Sequence, residues 1–198
     1  LPFNGGSVGY FSYDLGRRFE NLPHQTTQDI DLADMSIGLY FQALIFDHQA
    51  QQFWLVCPQP QRESLTKAIN QQLALIKKAT QVKEKFSLMT DWQSNMSKAR
   101  YDEKFKRIQD YLLSGDCYQI NLAQRFSAQY QGDEFEAYCA LRDKNKAPFS
   151  AFLRFEKASI LSISPERFLQ KAGRKVQSKP IKGTKPRSDD AVIDQQNS

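Results

Sequence analysis

The chain is 198 residues long, with 40% hydrophobic residues, 25% charged residues and a formal net charge of +5. That size and composition suit one globular domain or part of a larger one, and the longest apolar runs, such as residues 43–46, are far too short to cross a membrane. Three scattered cysteines without metal spacing, and no signal peptide at residues 1–5, predict a protein of the reducing cytoplasm without a disulfide framework.

The first third of the chain is predicted to be mainly β-structure. Alternating glycines and aromatic residues over positions 5–13 predict a strand whose backbone is closely approached by a neighbour. Residues 37–43 and 53–56 are rich in aromatic and β-branched side chains, which favours strands. The polar residues 47–50 between them predict the turn of a hairpin.

Four basic or titratable residues in this part are interpreted as structural. Arg17 and Arg18 are expected to form a solvated charge pair rather than to bind a ligand. His24 and His48 lie in polar, turn-like sequence with no carboxylate or cysteine at ligand spacing. Neither histidine is therefore predicted to bind a metal or to act as a catalytic base.

Two amphipathic helices are predicted in the middle of the chain, at residues 62–78 and 98–113, because apolar residues recur there at helical spacing. Ser97 is the expected N-cap of the second helix, and Gly115 is the expected residue just past its end. The segment at 90–96 is predicted to be loop. The apolar stripe of the second helix, which we expect to pack into the core, consists of Tyr101, Phe105, Ile108 and Leu112.

The following segment is predicted to form a strand at residues 117–130. Asn121 and Gln124 are unusual inside a strand, and they could either bind a ligand or satisfy buried backbone groups. Asp133 is expected to cap a short helix that runs to residue 142. Two further strands are predicted, at residues 149–155 and 159–163.

The chemically most informative stretch is basic and lies towards the end of the chain. Residues 164–168 read Ser-Pro-Glu-Arg-Phe, and residues 179–187 read Lys-Pro-Ile-Lys-Gly-Thr-Lys-Pro-Arg. A turn at positions 172–173 predicts that the two segments pair as a β-hairpin. Every charged residue from 167 to 187 is basic, which favours an anionic ligand. Phe168 is the only aromatic residue in that span, which argues against nucleic acid.

The expected register of this hairpin raises a geometric question. With the turn centred on positions 172–173, Lys179 lies opposite Glu166, and regular alternation places Glu166 and Lys182 on opposite faces. Because Pro180 cannot donate to a ladder, we expect an irregularity that turns Lys182 towards a ligand. An edge strand that Lys and Pro protect from aggregation is an open alternative.

These two motifs resemble the paired motifs of the chorismate-utilising enzymes, a family that includes anthranilate synthase, aminodeoxychorismate synthase and the isochorismate synthases. Lysine at position 182 resembles the aminodeoxychorismate synthase branch, since anthranilate synthases usually carry alanine there. Three further stretches match that branch in family order, at residues 9–20, 115–126 and 147–152.

The resemblance implies an α+β fold in which two antiparallel sheets pack face to face with helices outside. Residues 1–198 would be the central part of a single chorismate-binding catalytic domain, with an N-terminal segment and a C-terminal half missing. The ligands of the family's Mg²⁺ would lie beyond Ser198, so no metal ligand is predicted within the chain. The 198 residues alone are therefore predicted to be inactive.

The resemblance also implies a reaction that makes 4-amino-4-deoxychorismate for 4-aminobenzoate and folate synthesis. Lys182 would attack chorismate at C2 as the C4 hydroxyl leaves, and ammonia from a glutamine amidotransferase subunit would then add at C4 and expel the lysine. Glu166 would act as general acid and base, and Gly183 and Thr184 would bind a substrate carboxylate. Lys182 must be neutral to attack, although the ordinary pKa of lysine is about 10.4.

A second ligand is implied by the same resemblance. Pro148, Phe149 and Ser150 would help to line a pocket for a structural tryptophan. Two other functions stay open from the sequence: anthranilate synthase, against which Lys182 weighs, and a non-catalytic domain that binds an anion or a partner chain. No nucleic-acid or membrane partner is predicted.

Overall fold

The computed structural model describes residues 2–24, 28–78, 85–181, 183, 190 and 192. The chain divides into two units, one of Leu1–Val82 with Leu153–Ala158, and one of Lys83–Phe152 with Ser159–Ser198. Each unit contains one or more long helices and antiparallel strand pairs. No helix within the described ranges is long and apolar enough to cross a lipid bilayer.

The first unit contains two antiparallel strand pairs. β1 (Gly6–Phe11) pairs with β2 (Met35–Tyr40), and β3 (Ala43–Asp47) pairs with β4 (Gln52–Val56). The prediction that residues 37–43 and 53–56 form a hairpin is therefore wrong in its first strand. β4 pairs with β3, which begins at Ala43, whereas β2 pairs with β1. β2 ends at Tyr40 because its last partner in the ladder is Gly6, where β1 begins.

The turn between β3 and β4 was predictable from its polar residues and is confirmed. The Asp47 carboxylate accepts hydrogen bonds from the backbone N–H groups of Gln49 and Ala50, both at 2.9 Å. Gln51 then takes a left-handed conformation with φ 54°. A short aspartate side chain that bonds its own backbone two or three residues on is a common means of closing such a turn.

Arg17 differs from its interpretation as a solvated side chain. It lies in a 3₁₀ turn at Tyr13–Arg18, where its Nε is 3.0 Å from the Asp14 carboxylate and its guanidinium also donates to the Pro23 carbonyl. The Arg17 side chain is only 25% exposed, whereas that of Arg18 is 74% exposed. Arg17 therefore holds the local turn, and only Arg18 fits the solvated reading.

The three helices follow their local sequence signals. α1 spans Arg62–Lys78, as predicted, and α2 spans Lys98–Ser114. The Ser97 hydroxyl caps α2 by accepting from the Arg100 N–H, and Gly115 ends it in a left-handed conformation with φ 81°. α3 spans Glu134–Asn145, and the Asp133 side chain accepts from the Phe135 N–H. These contacts confirm all three predicted caps.

The prediction that residues 117–130 form one strand is wrong. Two short pairs occur instead: β5 (Ser87–Leu88) with β8 (Tyr130–Gln131), and β6 (Gln93–Ser94) with β7 (Phe126–Ser127). Residues 117–125 are irregular, because no strand lies beside them in the described part of the chain to complete a ladder. The predicted loop at 90–96 contributes β6.

In the described part of the chain after α3 there are four strands: β9 (Ala151–Arg154), β10 (Ser159–Ser162), β11 (Arg167–Ala172) and β12 (Lys175–Lys179). β9 pairs with β10, and β11 pairs with β12. The first two lie inside the predicted ranges but are shorter than expected.

Burial in the second unit centres on α3. Ala137 and Tyr138 are buried, and the Tyr138 ring lies 5.6 Å from that of Phe152. The apolar stripe of α2 does not pack as predicted, since Phe105 and Leu112 are exposed. Periodicity places apolar side chains on one face of a helix, but the element that covers that face must come from elsewhere in the fold.

Candidate active site

The β11–β12 hairpin has a different register from the one expected. Its turn is formed by Gly173, which is left-handed with φ 58°, and Arg174, so that Ala172 pairs with Lys175. The ladder runs regularly to the pair Gln170 and Gln177, then shifts. Lys179 consequently lies opposite Arg167, not opposite Glu166 as predicted. The turn is one position later than the sequence suggested, and the strand then contains a bulge.

This bulge lies at Phe168 and Leu169. A regular ladder from the pair Gln170 and Gln177 would set Phe168 opposite Lys179, so β11 contains one extra residue there. Such an insertion re-aims the side chains that follow it. Arg167 and Gln170 are three residues apart and would point to opposite faces of a regular strand. Instead the Arg167 guanidinium donates to Gln170 and, at 3.0 Å, to Gln177.

Glu166 lies one residue before the bulged strand, and its side chain reaches across to the chain that leaves β12. Its Oε1 accepts a hydrogen bond from the backbone N–H of Ile181 at 2.7 Å. The Ser164 hydroxyl holds the Glu166 backbone from both ends, accepting from its N–H at 3.3 Å and donating to its carbonyl at 2.9 Å. The carboxylate is therefore fixed beside the residue that precedes position 182 in the sequence.

The turn after α3 lies against this same region. The Phe149 N–H donates to the Ser164 carbonyl at 3.1 Å, and the Arg167 guanidinium carbon lies 4.7 Å from the centre of the Phe149 ring. Ser150 closes the turn by donating its hydroxyl to the Ala147 carbonyl at 2.8 Å. Pro148 is exposed. The predicted tryptophan-binding residues and the predicted acid thus lie within one neighbourhood.

The sequence of the chain matches the chorismate binding enzyme family over residues 2–198. The chain belongs to this family. It is 50% identical over 194 residues to aminodeoxychorismate synthase component 1 of Escherichia coli (strain K12), which covers 98% of this chain and 41% of that protein. It is 28% identical over 201 residues to anthranilate synthase component 1 of Lactococcus lactis, which covers 98% and 44%.

A solved structure of the family supports the fold. The crystal structure of anthranilate synthase component I from Streptococcus pneumoniae TIGR4 superposes with a TM-score of 0.74 at 25% sequence identity, covering 89% of this chain and 42% of that one. The predicted α+β class with antiparallel strands is thereby confirmed. The chain spans about two-fifths of the length of three curated bacterial relatives to which it is 50% identical.

Besides Glu166, the residues predicted to act on chorismate are Lys182, Gly183 and Thr184. Lys182 and Thr184 lie outside the described residues. Gly183 is described and exposed, and a Cβ added to it would meet no atom of the other described residues within 4 Å. Of the predicted catalytic pair, the structure therefore describes the position of Glu166 alone, and the roles of both Glu166 and Lys182 stay predictions.

The described residues do not form a site suited to Mg²⁺. No group of three or more His, Cys, Asp or Glu residues that could hold a metal occurs in residues 2–24, 28–78 and 85–181. A groove of about 830 Å³ runs along the polar face of α1 and contains no predicted site residue. The Glu166 neighbourhood is the part of the described chain in which predicted site residues lie close together.

The sequence left two readings open for Asn121 and Gln124, and in the structure both make side-chain hydrogen bonds. Gln124 donates to the Ser94 hydroxyl at 2.7 Å, and Asn121 accepts from the Gln119 side chain at 3.4 Å. Neither of these contacts is with a backbone group, and ligand binding by the two residues stays a prediction. Arg167 was not predicted to take part in this neighbourhood, where it contacts Phe149, Gln170 and Gln177. The only signal was its place within the Ser-Pro-Glu-Arg-Phe motif, since its contact with Phe149 joins residues 18 positions apart in the sequence.

Proposed function

We propose that this chain carries part of the active site of an aminodeoxychorismate synthase, and that residues 1–198 are the central part of a single catalytic domain. The whole protein would convert chorismate and ammonia to 4-amino-4-deoxychorismate in 4-aminobenzoate and folate synthesis. The 50% identity to three bacterial component 1 proteins supports this branch over anthranilate synthase, since the anthranilate synthases of Lactococcus lactis, Thermus thermophilus and Arabidopsis thaliana are 28%, 33% and 32% identical.

The observation that carries the proposal is the hydrogen bond from the Ile181 N–H to the Glu166 carboxylate at 2.7 Å. It fixes an acid beside the residue that immediately precedes Lys182 in the sequence. A general acid must lie within hydrogen-bond reach, directly or through one water, of the group it protonates. In the proposed reaction that group is the hydroxyl that leaves C4.

The bulge supports the pairing of Lys182 with Glu166. The register expected from the sequence sets Lys179 opposite Glu166 and assigns position 182 to the other face. In the observed register Lys179 is opposite Arg167, and the Glu166 carboxylate reaches the chain that leaves β12, where it accepts from the Ile181 N–H. We therefore propose that the two side chains work on one face.

The proposed chemistry consists of two displacements. The neutral Lys182 amine forms a bond to C2 of chorismate, both ring double bonds shift by one position, and the C4–O bond breaks so that the oxygen leaves as water with a proton from Glu166. Ammonia then attacks C4, both double bonds return, and the lysine amine departs from C2 while the excess proton passes to the Glu166 carboxylate. Gly183 and Thr184 would bind a substrate carboxylate.

The remaining partners are proposed from the resemblance. The component 1 relatives imply a glutamine amidotransferase subunit as the source of ammonia. Mg²⁺ would be held by residues beyond Ser198, and a structural tryptophan would contact Pro148, Phe149 and Ser150. We place the protein in the cytoplasm.

Lys182→Ala in the intact enzyme tests the nucleophile. With ammonium salts as the nitrogen source, we expect formation of 4-amino-4-deoxychorismate to fall by about 1,000-fold or more, because a covalent step loses its attacking group. Mass spectrometry should show a chorismate-derived adduct on the peptide of the unmodified enzyme and none in the variant. Lys179→Ala removes a nearby lysine of β12 as the matched control and should retain the adduct.

Three results would contradict the proposal. If the corresponding peptide of Lys182→Ala still carries the mass added by chorismate, Lys182 is excluded as the nucleophile. Release of pyruvate from the unmodified enzyme would indicate anthranilate synthase instead. Chorismate affinity that is the same with and without Mg²⁺, with no turnover, would indicate a non-catalytic binding domain.

A further inference from the structure

The Arg167 side chain joins three segments of the second unit. Its guanidinium stacks on the Phe149 ring in the turn after α3, at 4.7 Å, and donates to Gln170 in β11 and to Gln177 in β12. All three contacts are with neutral groups. A planar guanidinium can stack with its face and donate with its edge at the same time, which a lysine ammonium cannot do.

The contacts of Arg167 stabilise the bulge. The two bulged residues contribute little to it themselves. Phe168 is 91% exposed and Leu169 is 58% exposed, so neither anchors the extra residue by packing into a core. The Arg167 side chain instead reaches from one side of the bulge to Gln170 on the other. The Ser178 hydroxyl adds a bond to the Arg167 carbonyl at 3.3 Å. The irregular register is therefore held mainly through Arg167.

The position of Glu166 depends on that register. Arg167 directly follows Glu166, and without the extra residue the pairing would advance by one position. A one-residue slip moves a side chain to the other face of a strand. The carboxylate would then lose its contact with the Ile181 N–H.

We propose that Arg167 is a positioning residue, which clamps the Phe149 turn to the bulged hairpin and so sets the face on which Glu166 meets the segment after β12. The inference rests on the proposed function for its effect on turnover. It does not require Arg167 to touch the substrate.

The test uses the intact enzyme with ammonium as the nitrogen source. Arg167→Gln and Arg167→Lys should each lower kcat by about 100-fold, with KM for chorismate changed less than about threefold, because misplacing a catalytic group costs rate more than binding. The Ile181 amide should exchange its hydrogen faster in both variants. Arg174→Gln removes an arginine from the turn of the same hairpin and should leave kcat and Ile181 exchange unchanged.

Phe149→Leu provides a milder variant that keeps an apolar side chain. It should lower kcat by about tenfold and add little in the Arg167→Lys background, because the two residues act through one contact. Full kcat in Arg167→Lys would overturn the proposal, since charge alone would then suffice. Additive losses of kcat in the Phe149→Leu, Arg167→Lys double variant would also overturn it. So would a raised KM at unchanged kcat, or an unchanged Ile181 exchange rate, in the Arg167 variants.

A failure of the proposed function is recognised separately. In that case the unmodified enzyme makes no 4-amino-4-deoxychorismate, while the exchange of the Ile181 amide still reports whether Arg167 positions Glu166. If an Arg167 variant unfolds as a whole, the amide hydrogens of α3 will also exchange faster. In that case the milder variant Phe149→Leu is used to test the positioning role.

Discussion

At the scale of single residues, one titratable side chain outside the candidate site has a clearly altered environment. The Tyr130 hydroxyl donates to the Glu134 carboxylate at 2.6 Å, and its ring stacks on Phe86 at 5.3 Å. The hydrogen bond to Glu134 raises the pKa of Tyr130, and burial and the negative charge of Glu134 raise it further. All three causes favour the protonated phenol, which links β8 to the first turn of α3.

The sign of the pKa shift predicts how this link responds to pH. A pKa raised in the folded state gives stability that is complete below the unfolded value of about 10 and is lost as pH rises through the folded value. In the intact protein, the stability difference between wild type and Tyr130→Phe should therefore be constant near neutrality and shrink above about pH 10. Urea unfolding at several pH values measures it.

Glu134→Gln should move the ultraviolet titration of Tyr130 towards the ordinary tyrosine value. Glu136→Gln, in the same turn of α3, is the matched control and should leave that titration in place. Equal titrations in wild type and Glu134→Gln would show that the hydrogen bond does not govern Tyr130.

At the scale of elements, the β1–β2 pair depends on a glycine. A Cβ on Gly9 would collide with the Ser36 carbonyl and lie 2.8 Å from the Ile37 Cα, both in the partner strand. These are backbone atoms of a six-pair ladder, so they cannot move aside without breaking it. The close approach predicted from the alternating glycines is confirmed here.

Gly9→Ala should therefore destabilise the intact protein by about 1–3 kcal/mol, the usual cost of forcing an extra methyl into a filled space. Gly16→Ala is the control, because its added Cβ would meet only the Leu22 side chain at 3.8 Å. It should change stability by about 0.5 kcal/mol or less. Urea unfolding compares the two, and equal effects would mean that the Ser36 contact does not limit the strand pair.

At the scale of the whole molecule, few of the described residues are buried. Many large hydrophobic side chains among them are exposed, for example Phe11, Phe53 and Phe168. Ala137 and Tyr138 are the buried hydrophobic residues among those described. Since the chain spans about two-fifths of its relatives' length, we expect covering elements to come from sequence that these 198 residues do not contain.

A protein consisting of residues 1–198 alone should therefore bind hydrophobic dyes, self-associate and show no turnover with chorismate and ammonium. The physical reason is that uncovered apolar faces and open strand edges favour association. Dye fluorescence, light scattering and near-ultraviolet circular dichroism, each compared with the intact enzyme, measure this. A monomer with sharp tertiary dichroism and robust turnover would contradict it.

The sequence alone determined the features whose causes lie within a few residues. The bounds of α1, the caps at Ser97 and Asp133 and the left-handed stop at Gly115 follow from periodicity and short side-chain contacts. The family and the presence of an acid at Glu166 also follow from local motifs. These features need no distant partner, so a linear reading finds them.

The tertiary structure decided what depends on distant partners. Residues 117–130 have strand composition, yet only Phe126–Ser127 and Tyr130–Gln131 find strands to pair with. The register of the hairpin likewise could not be read from its own residues, because the bulge is held by Arg167 against Phe149 from another segment. A strand forms a ladder only with a partner strand, and this bulge is held by a side-chain contact with another segment. Both partners are distant in sequence, so only folding brings them together.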